Sequence, residues 1–333
     1  MTTTVEVPGT GVRISRAVFG TSRLGGTIER FDRRESLRIL AAAAAAGVTT
    51  FDSADIYGQG NSERLIGEAF RDRRSEVVLS TKGGYVLRGK ARLLSKIKPL
   101  VRRVLKHRPG MLKAAARARG SQMAQDFSEG HLVAALEASL TRLGTDVIDL
   151  YHLHSPDRQT LADGRAFEVL EGMRRAGRIR AYGASLLSWD DLPLCFDKGV
   201  SFVQLEADLL TGTGHRAALE AARQAGILVI GRQPFGSGLL ARDPAGLTVD
   251  DFGGDNDRYQ RAVGRIGSLR ESGDPFATLL RYLTHHSDFP AFLFATTSLR
   301  HLEANLAAIQ QPPLGKAVAA ELASVFADAG SAD

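Results

Sequence analysis

Four side chains in this sequence are of types that together can deliver a proton to a carbonyl oxygen: Asp52, Tyr57, Lys82 and His154. A phenol, with an unperturbed pKa of about 10, is a weak acid at neutral pH. An ammonium beside it stabilises the phenolate and is expected to lower that value. A carboxylate paired to the ammonium keeps it charged and in place. An imidazole can hydrogen-bond the carbonyl oxygen while a hydride arrives at carbon. Taken singly, Asp52 and Lys82 read equally well as a structural ion pair, and Tyr57 as a surface residue of a polar loop. His152 and His154 stand two apart, so both can face one side of a strand. No matching His and carboxylate set accompanies them, so no metal site is expected, and His152 reads as a hydrogen-bonded core residue.

The four gain meaning from their positions at strand ends. TFDSADIYGQGNSERLIG, residues 50–67, reads as a short buried strand, a polar loop and a helix start capped by Asn61 or Ser62. Asp52 ends that strand, Lys82 ends VVLSTK (77–82) and His154 ends VIDLYHLH (147–154). Further strand patterns are AVFGT (17–21), IRAYGAS (179–185), SFVQLEA (201–207), LVIGRQ (228–233) and AFLFAT (291–296). Helical patterns follow them near 34–46, 62–71, 129–142, 162–176, 188–196, 215–224, 275–286 and 300–309, and the chain ends on one more. Eight strand-then-helix units predict a (β/α)8 barrel, in which groups at the C-terminal strand ends converge on one pocket. TVEVP and VRIS flank a GTG turn and predict an N-terminal β-hairpin. Two connections, 83–127 and 234–274, are long and fall on the C-terminal rim. The alternative, a doubly wound open sheet, would carry a Gly-rich fingerprint after its first strand, and GTSRLGG lacks it. No linker divides the chain, so residues 1–333 are expected to form a single domain.

Composition narrows the setting. The 333 residues are 44% hydrophobic and 24% charged, enough for one large core. Cys195 is the only cysteine, which excludes an internal disulfide and suits a reducing compartment. The start has no signal-peptide pattern, and Ala41–Val48 is too short to span a bilayer, so the cytoplasm is the expected location. The net charge of +6 is uneven: residues 85–127 hold twelve Lys or Arg and one acid, Asp126, which makes +11 there and −5 elsewhere. The basic character therefore belongs to an insertion. Its apolar residues approach helical spacing, with Pro99 and Pro109 as interruptions. It reads as a solvated lid on the rim, as a site for an anionic substrate or acidic partner, or as a membrane-surface helix. Its lack of interleaved aromatics argues against a nucleic-acid partner.

The segments FDSADIYGQGNSERLIGEAF, STKGG, DLYHLHSPD, YGASLLS, FVQLEADLL, RQPFGSGLL and SLRHLEANLAAI run in order over nearly the whole chain. With them the chain resembles the aldo-keto reductase superfamily. The resemblance implies a barrel closed at its bottom by the hairpin. It also implies NAD(P)(H)-dependent interconversion of a carbonyl and an alcohol, on an aldehyde, ketone or sugar. By position, Tyr57 would be the general acid/base, Lys82 and Asp52 its tuners, and His154 the group that orients the carbonyl. Ser185 and Gln204 would hold the nicotinamide carboxamide, and Arg232 stands where many members place an aromatic on the nicotinamide. The loop from Gly236 to Leu240, Gly238 included, would lie along the pyrophosphate and Asn305 near the adenine, and Pro234, Thr296 and His301 would also contact the cofactor. Leu186 replaces an Asn that the family often has after Ser185. Ala295, His301 and Ala304 depart from the family's usual cationic grip on a 2′-phosphate, for which Arg300 or His301 could substitute, so NADP(H) is favoured only slightly over NAD(H). Barrels of this family also serve as cofactor-binding regulatory subunits, which is the alternative reading.

Overall fold

Alternation along the strands decides what the barrel encloses. The computed structural model describes residues 3–26, 32–87, 123–207, 209–212 and 215–326. Strands β1 (Thr4–Glu6) and β2 (Arg13–Ser15) pair antiparallel as the expected hairpin. The strands that follow are β3 (Ala17–Gly20), β4 (Thr50–Asp52), β5 (Val78–Gly83), β6 (Tyr85–Leu87), β7 (Met123–Gln125), β8 (Ile148–His154), β9 (Ile179–Ser185), β10 (Phe202–Glu206), β11 (Leu228–Arg232) and β12 (Ala291–Phe294). All but β6 and β7 are parallel and close into a barrel, β12 pairing back onto β3. β6 and β7 form an antiparallel ribbon on the rim after β5. Residues 88–122, with the helical pattern expected of the basic insertion, lie outside the described residues.

Inward residues near the bottom are apolar. Val18, Leu150, Ala181, Phe202, Leu228, Ile230 and Ala291 meet Val7, Val12 and Ile14 of the hairpin, which plugs that end. Further along the same strands the inward positions turn polar: Asp52, Ser80, Lys82, His152, His154, Ser185 and Gln204 are all buried. Strand register sets them side by side, with Asp52 opposite Ser80, Lys82 opposite His152, and His154 and Gln204 both opposite Ser185. Outward positions such as Phe19, Phe51, Leu79, Tyr151, Leu153, Val203 and Phe292 pack beneath the helices in a second, larger core. Each fully buried Leu or Phe there contributes roughly 1.5–3 kcal/mol. That layer holds the polar interior in place.

Most expected helices are present, at Arg33–Ala45, Asn61–Ala69, Glu129–Leu143, Arg216–Gln224, Pro275–His285, Leu299–Gln310 and Lys316–Phe326. Three differ from expectation. The pattern at 162–176 is broken at Gly164, φ +78°, into Arg158–Asp163 and Arg165–Arg175. The pattern at 188–196 is a 3-10 stretch, Trp189–Cys195, because Pro193 inside it cannot donate. The connection 234–274 carries a helix of its own, Asn256–Glu271, N-capped by Asp255. Arg265 of that helix donates to Leu209 O at 3.0 Å, Gly212 O at 2.7 Å and Val325 O at 2.9 Å, tying rim, helix and C-terminal helix together. Among the described residues, no helix is long and apolar enough to cross a membrane.

Candidate active site

The loop after β4 is what brings Tyr57 over the barrel. Thr21 donates its hydroxyl to Asp52 O at 2.8 Å. Ser62 donates to Thr21 O at 3.1 Å and accepts from Ser53 Oγ at 2.9 Å. Neither Asn61 nor Ser62 is the helix cap that the sequence suggested. Helix Asn61–Ala69 starts after Gly60, φ +81°, without a side-chain cap, because the Ser62 hydroxyl is buried in this anchoring network. Between strand and helix, Tyr57–Gln59 makes a single 3-10 turn. Gly58 there has φ +58°, and a Cβ on it would lie 2.3 Å from Gly25 O, so only glycine fits against that backbone.

Below Tyr57 the buried ion pair is fully bonded. Asp52 Oδ2 accepts from Lys82 Nζ at 2.5 Å. Asp52 Oδ1 accepts from Ser80 Oγ at 2.8 Å and from Gln204 Nε2 at 2.7 Å. Lys82 also donates to Ser53 O at 2.8 Å. Those extra bonds are what allow two charges to stay out of water. The Tyr57 ring centroid is 5.4 Å from Lys82 Nζ and 5.8 Å from the His154 ring, which it meets edge to face. The Tyr85 ring stands on His154 at 4.7 Å, so β6 contributes to this site as well.

Asp52, Tyr57, Lys82, His154, Ser185, Gln204 and Arg232 line one cavity of ≈ 260 Å³, with Ser22, Ser155 and Gln233 at its mouth. Larger grooves of ≈ 910 and ≈ 900 Å³ lie elsewhere, one along the helices at Glu129–Leu143 and Arg165–Arg175, one beside the hairpin turn. Convergent polar groups, rather than volume, single out the smaller cavity. Pro234, Gly236 and Gly238 are not in its wall. They form the turn after β11, where Ser237 and Gly238 have φ +56° and +102°. Thr296, His301 and Asn305 also lie apart. Thr296 Oγ1 accepts from Ser298 N, His301 is exposed in the first turn of Leu299–Gln310, and Asn305 is buried in the same helix.

Electrostatics departs from the sequence argument at one point. Lys82 does pull the Tyr57 pKa down, but burial pushes it up more and Asp52 adds to the rise, so the phenol stands above its ordinary value of 10. The sequence names the cation; the depth of burial appears only in the fold. Burial, with Lys82 and Arg232 adding to it, holds His154 well below its ordinary value, which makes it a neutral imidazole. Sequence reasoning passed over Ser80 and Tyr85. Ser80 was findable, since it precedes Lys82 by two residues and therefore shares its face of the strand.

The residues present suit a nicotinamide. Ser185, Gln204 and Arg232 offer a hydroxyl, an amide and a guanidinium from three adjacent strand ends. Among the described residues, the buried atoms His154 Nδ1 and Arg232 Nε have no hydrogen-bond partner. Such atoms in the wall of a cavity are ones a ligand can satisfy.

The aldo/keto reductase family profile matches residues 16–326. The chain is 24% identical over 323 residues to a pyridoxal 4-dehydrogenase from Microbacterium luteolum, covering 91% of each chain. It is 30% identical over 238 residues to a D-threo-aldose 1-dehydrogenase from a Pseudomonas species, covering 70% of this chain and 69% of that one. In fold it is similar to an aldo-keto reductase from Bacillus halodurans solved in its holo form, with TM-score 0.73 and 24% identity over 98% of this chain and 96% of that one. A match of that extent, on a closed barrel with these groups at its rim, places the chain in the aldo/keto reductase family as an NAD(P)(H)-dependent oxidoreductase acting on carbonyl and alcohol groups.

Proposed function

We propose that Tyr57 is the general acid/base of this oxidoreductase, acting on an aldehyde, ketone or sugar held in the cavity lined by Tyr57 and His154. The observation that carries the reading is the fully bonded Asp52–Lys82 pair directly beneath the phenol. Lys82 spends two of its N–H groups on Asp52 and Ser53, and its third is the one assigned to Tyr57 Oη. In reduction Tyr57 gives its proton to the carbonyl oxygen, and Lys82 stabilises the phenolate left behind. In oxidation the same phenolate takes the alcohol proton. His154, neutral, donates one N–H to the substrate oxygen and so fixes the carbonyl against Tyr57. When bound, the nicotinamide supplies or accepts the hydride. Ser185 and the Gln204 amide oxygen would hold its carboxamide, and Arg232, in the same cavity wall, would stand by its ring. The turn at Pro234, Gly236 and Gly238 would hold the pyrophosphate, and Thr296, His301 and Asn305 would hold the adenosine side. Residues 1–333 work as one domain on this reading. NADP(H) is preferred slightly over NAD(H), since exposed Arg300 and His301 stand at a helix N-terminus, where a phosphate is stabilised.

The test uses purified protein with 4-nitrobenzaldehyde and either NADPH or NADH. Tyr57→Phe is expected to lower turnover by at least ~10²-fold while cofactor affinity stays at the wild-type value. The wild-type rate of reduction should fall only on an alkaline limb above the phenol's ordinary 10, because burial raises Tyr57 and keeps it protonated through neutral pH. Wild-type turnover in Tyr57→Phe would end this assignment. Equal dissociation constants for NADPH and NADH would end the cofactor preference alone.

A further inference from the structure

The inner face of the barrel carries one more residue of the same machinery. His152 is fully buried, one layer below His154, and its Nε2 lies 2.8 Å from Ser80 Oγ and 3.9 Å from Asp52 Oδ1. Its Nδ1 has no partner among the described residues. Ser80 Oγ donates to Asp52 Oδ1 at 2.8 Å. Counting protons assigns the tautomer. Ser80 has a single hydroxyl proton, and the carboxylate can only accept, so that proton lies on Asp52. The Ser80–His152 bond then needs its proton from the imidazole, which places it on Nε2 and leaves Nδ1 bare. The opposite arrangement would aim a Ser80 lone pair at the carboxylate.

We propose that His152 is a positioning residue: by donating Nε2–H to Ser80 it locks the Ser80 hydroxyl onto Asp52 Oδ1, and so fixes which carboxylate oxygen faces Lys82. This rests on the reading of Tyr57 as proton donor and extends it one step deeper. The chain of donors runs His152 to Ser80 to Asp52. Gln204 joins at Oδ1, and the ammonium that bears on Tyr57 is held at Oδ2. The charged and titratable groups facing His152 are Asp52 from β4, Lys82 from β5 and His154 from β8 itself, while β10 presents the uncharged Phe202 ring edge-on at 4.5 Å. Burial, then Lys82 and His154, keep the imidazole neutral, as the single-proton count requires.

The experiment compares His152→Leu, Ser80→Ala, their double variant and His152→Gln, with 4-nitrobenzaldehyde and NADPH as probes. His152→Leu and Ser80→Ala should each lower kcat about 10-fold, within the range of coupling between contacting residues. NADPH affinity should be unchanged in all four, which also shows that they fold. The double variant should be no slower than Ser80→Ala alone, because His152 acts through Ser80. His152→Gln keeps an N–H donor and should recover most of the rate. The alkaline limb of reduction should move to higher pH in both single variants: Ser80→Ala removes a donor from the Asp52 carboxylate and His152→Leu frees the Ser80 hydroxyl to turn away from it, so in each the carboxylate holds more charge beside Tyr57 and raises it further. Wild-type kcat and an unmoved limb in His152→Leu would overturn the proposal, as would a double variant whose losses multiply. Tyr57→Phe separates the two levels: if it is inactive while His152→Leu behaves as wild type, this proposal fails and the assignment of Tyr57 stands.

Discussion

Strands β5 and β8 carry a buried carboxylate network on each of their two faces, and the two are built differently. Facing in, Asp52 takes three donors, from Lys82, Ser80 and Gln204. Facing out, Thr81 and Tyr151 meet Glu63 and Arg142 under the helices. Glu63 is fully buried, accepting from Thr81 Oγ1 at 2.7 Å and from Arg142 Nε at 2.5 Å. Arg142 also donates to Ser139 Oγ at 3.0 Å. Asp55 belongs to this outer group but is poorly served: among the described residues its Oδ1 and the Tyr151 hydroxyl have no partner. Burial, with Glu63 second, raises its carboxyl to about 7. Pairing of buried charge is therefore common to both faces and does not mark the site. What distinguishes the inner network is that its cation bears on a phenol at the wall of a cavity. The outer one is closed beneath helices Asn61–Ala69 and Glu129–Leu143 and packed so tightly that a Cβ on Gly83 would lie 2.1 Å from Tyr151 Oη.

Removing the cation from each network should sharpen that contrast, and it is the largest effect expected. Lys82→Met strands Asp52, and Arg142→Met strands Glu63. Breaking a buried pair by deleting one partner costs about 3–5 kcal/mol, so both variants should lose stability on that scale in urea titrations. Only Lys82→Met should also lose turnover, by at least ~10²-fold, since it removes the charge that stabilises the Tyr57 phenolate. Folded Arg142→Met should keep the wild-type kcat. A matching loss of kcat in Arg142→Met would show that the outer network feeds the site, and the distinction drawn here would fall.

The inner face was the more legible of the two in the sequence. Its members end strands whose apolar runs are clear, and a period of two puts Ser80 with Lys82 and His152 with His154. His152 was expected to be a hydrogen-bonded core residue, and its bond to Ser80 agrees with that. The outer network joins Asp55 and Glu63, Thr81, Arg142 and Tyr151 from four separate segments, and nothing in their spacing says that helix packing will bring them together. Glu63 reads as an ordinary first-turn acid, although the fold buries it completely. Helix Asn256–Glu271 was hidden for another reason. Gly264, Gly267 and its many charges dilute a stripe whose buried members are only Ala262, Arg265, Ile266 and Leu269. The direction of the Tyr57 shift failed because it is a balance of burial against charge, and the sequence supplies only the charge.

The smallest expected effect concerns Asp55 and tests whether the outer network is under-satisfied as described. A carboxyl raised from 3.8 to about 7 in the folded chain binds a proton that the unfolded chain has already released between those values. Stability therefore falls as pH rises, since the unfolded state binds fewer protons across that window. The contribution is fully present below the unfolded value of 3.8 and is lost once pH passes about 7. One pKa unit corresponds to about 1.4 kcal/mol, which sets a ceiling on the order of 4 kcal/mol for the whole window. Asp55→Asn removes the titration but keeps a buried polar group with no better partner, so the net gain at neutral pH should be smaller, about 1–2 kcal/mol. Denaturation midpoints of wild type and variant, taken from pH 4 to pH 8, should diverge in favour of Asp55→Asn up to about 7 and run parallel above it. Turnover in the variant should match wild type, because the carboxyl lies on the far side of β5 from the cavity wall. A constant difference across the range would mean that Asp55 stays ionised in the folded protein. In that case both networks would be satisfied, and the contrast between them would reduce to the presence of Tyr57 alone.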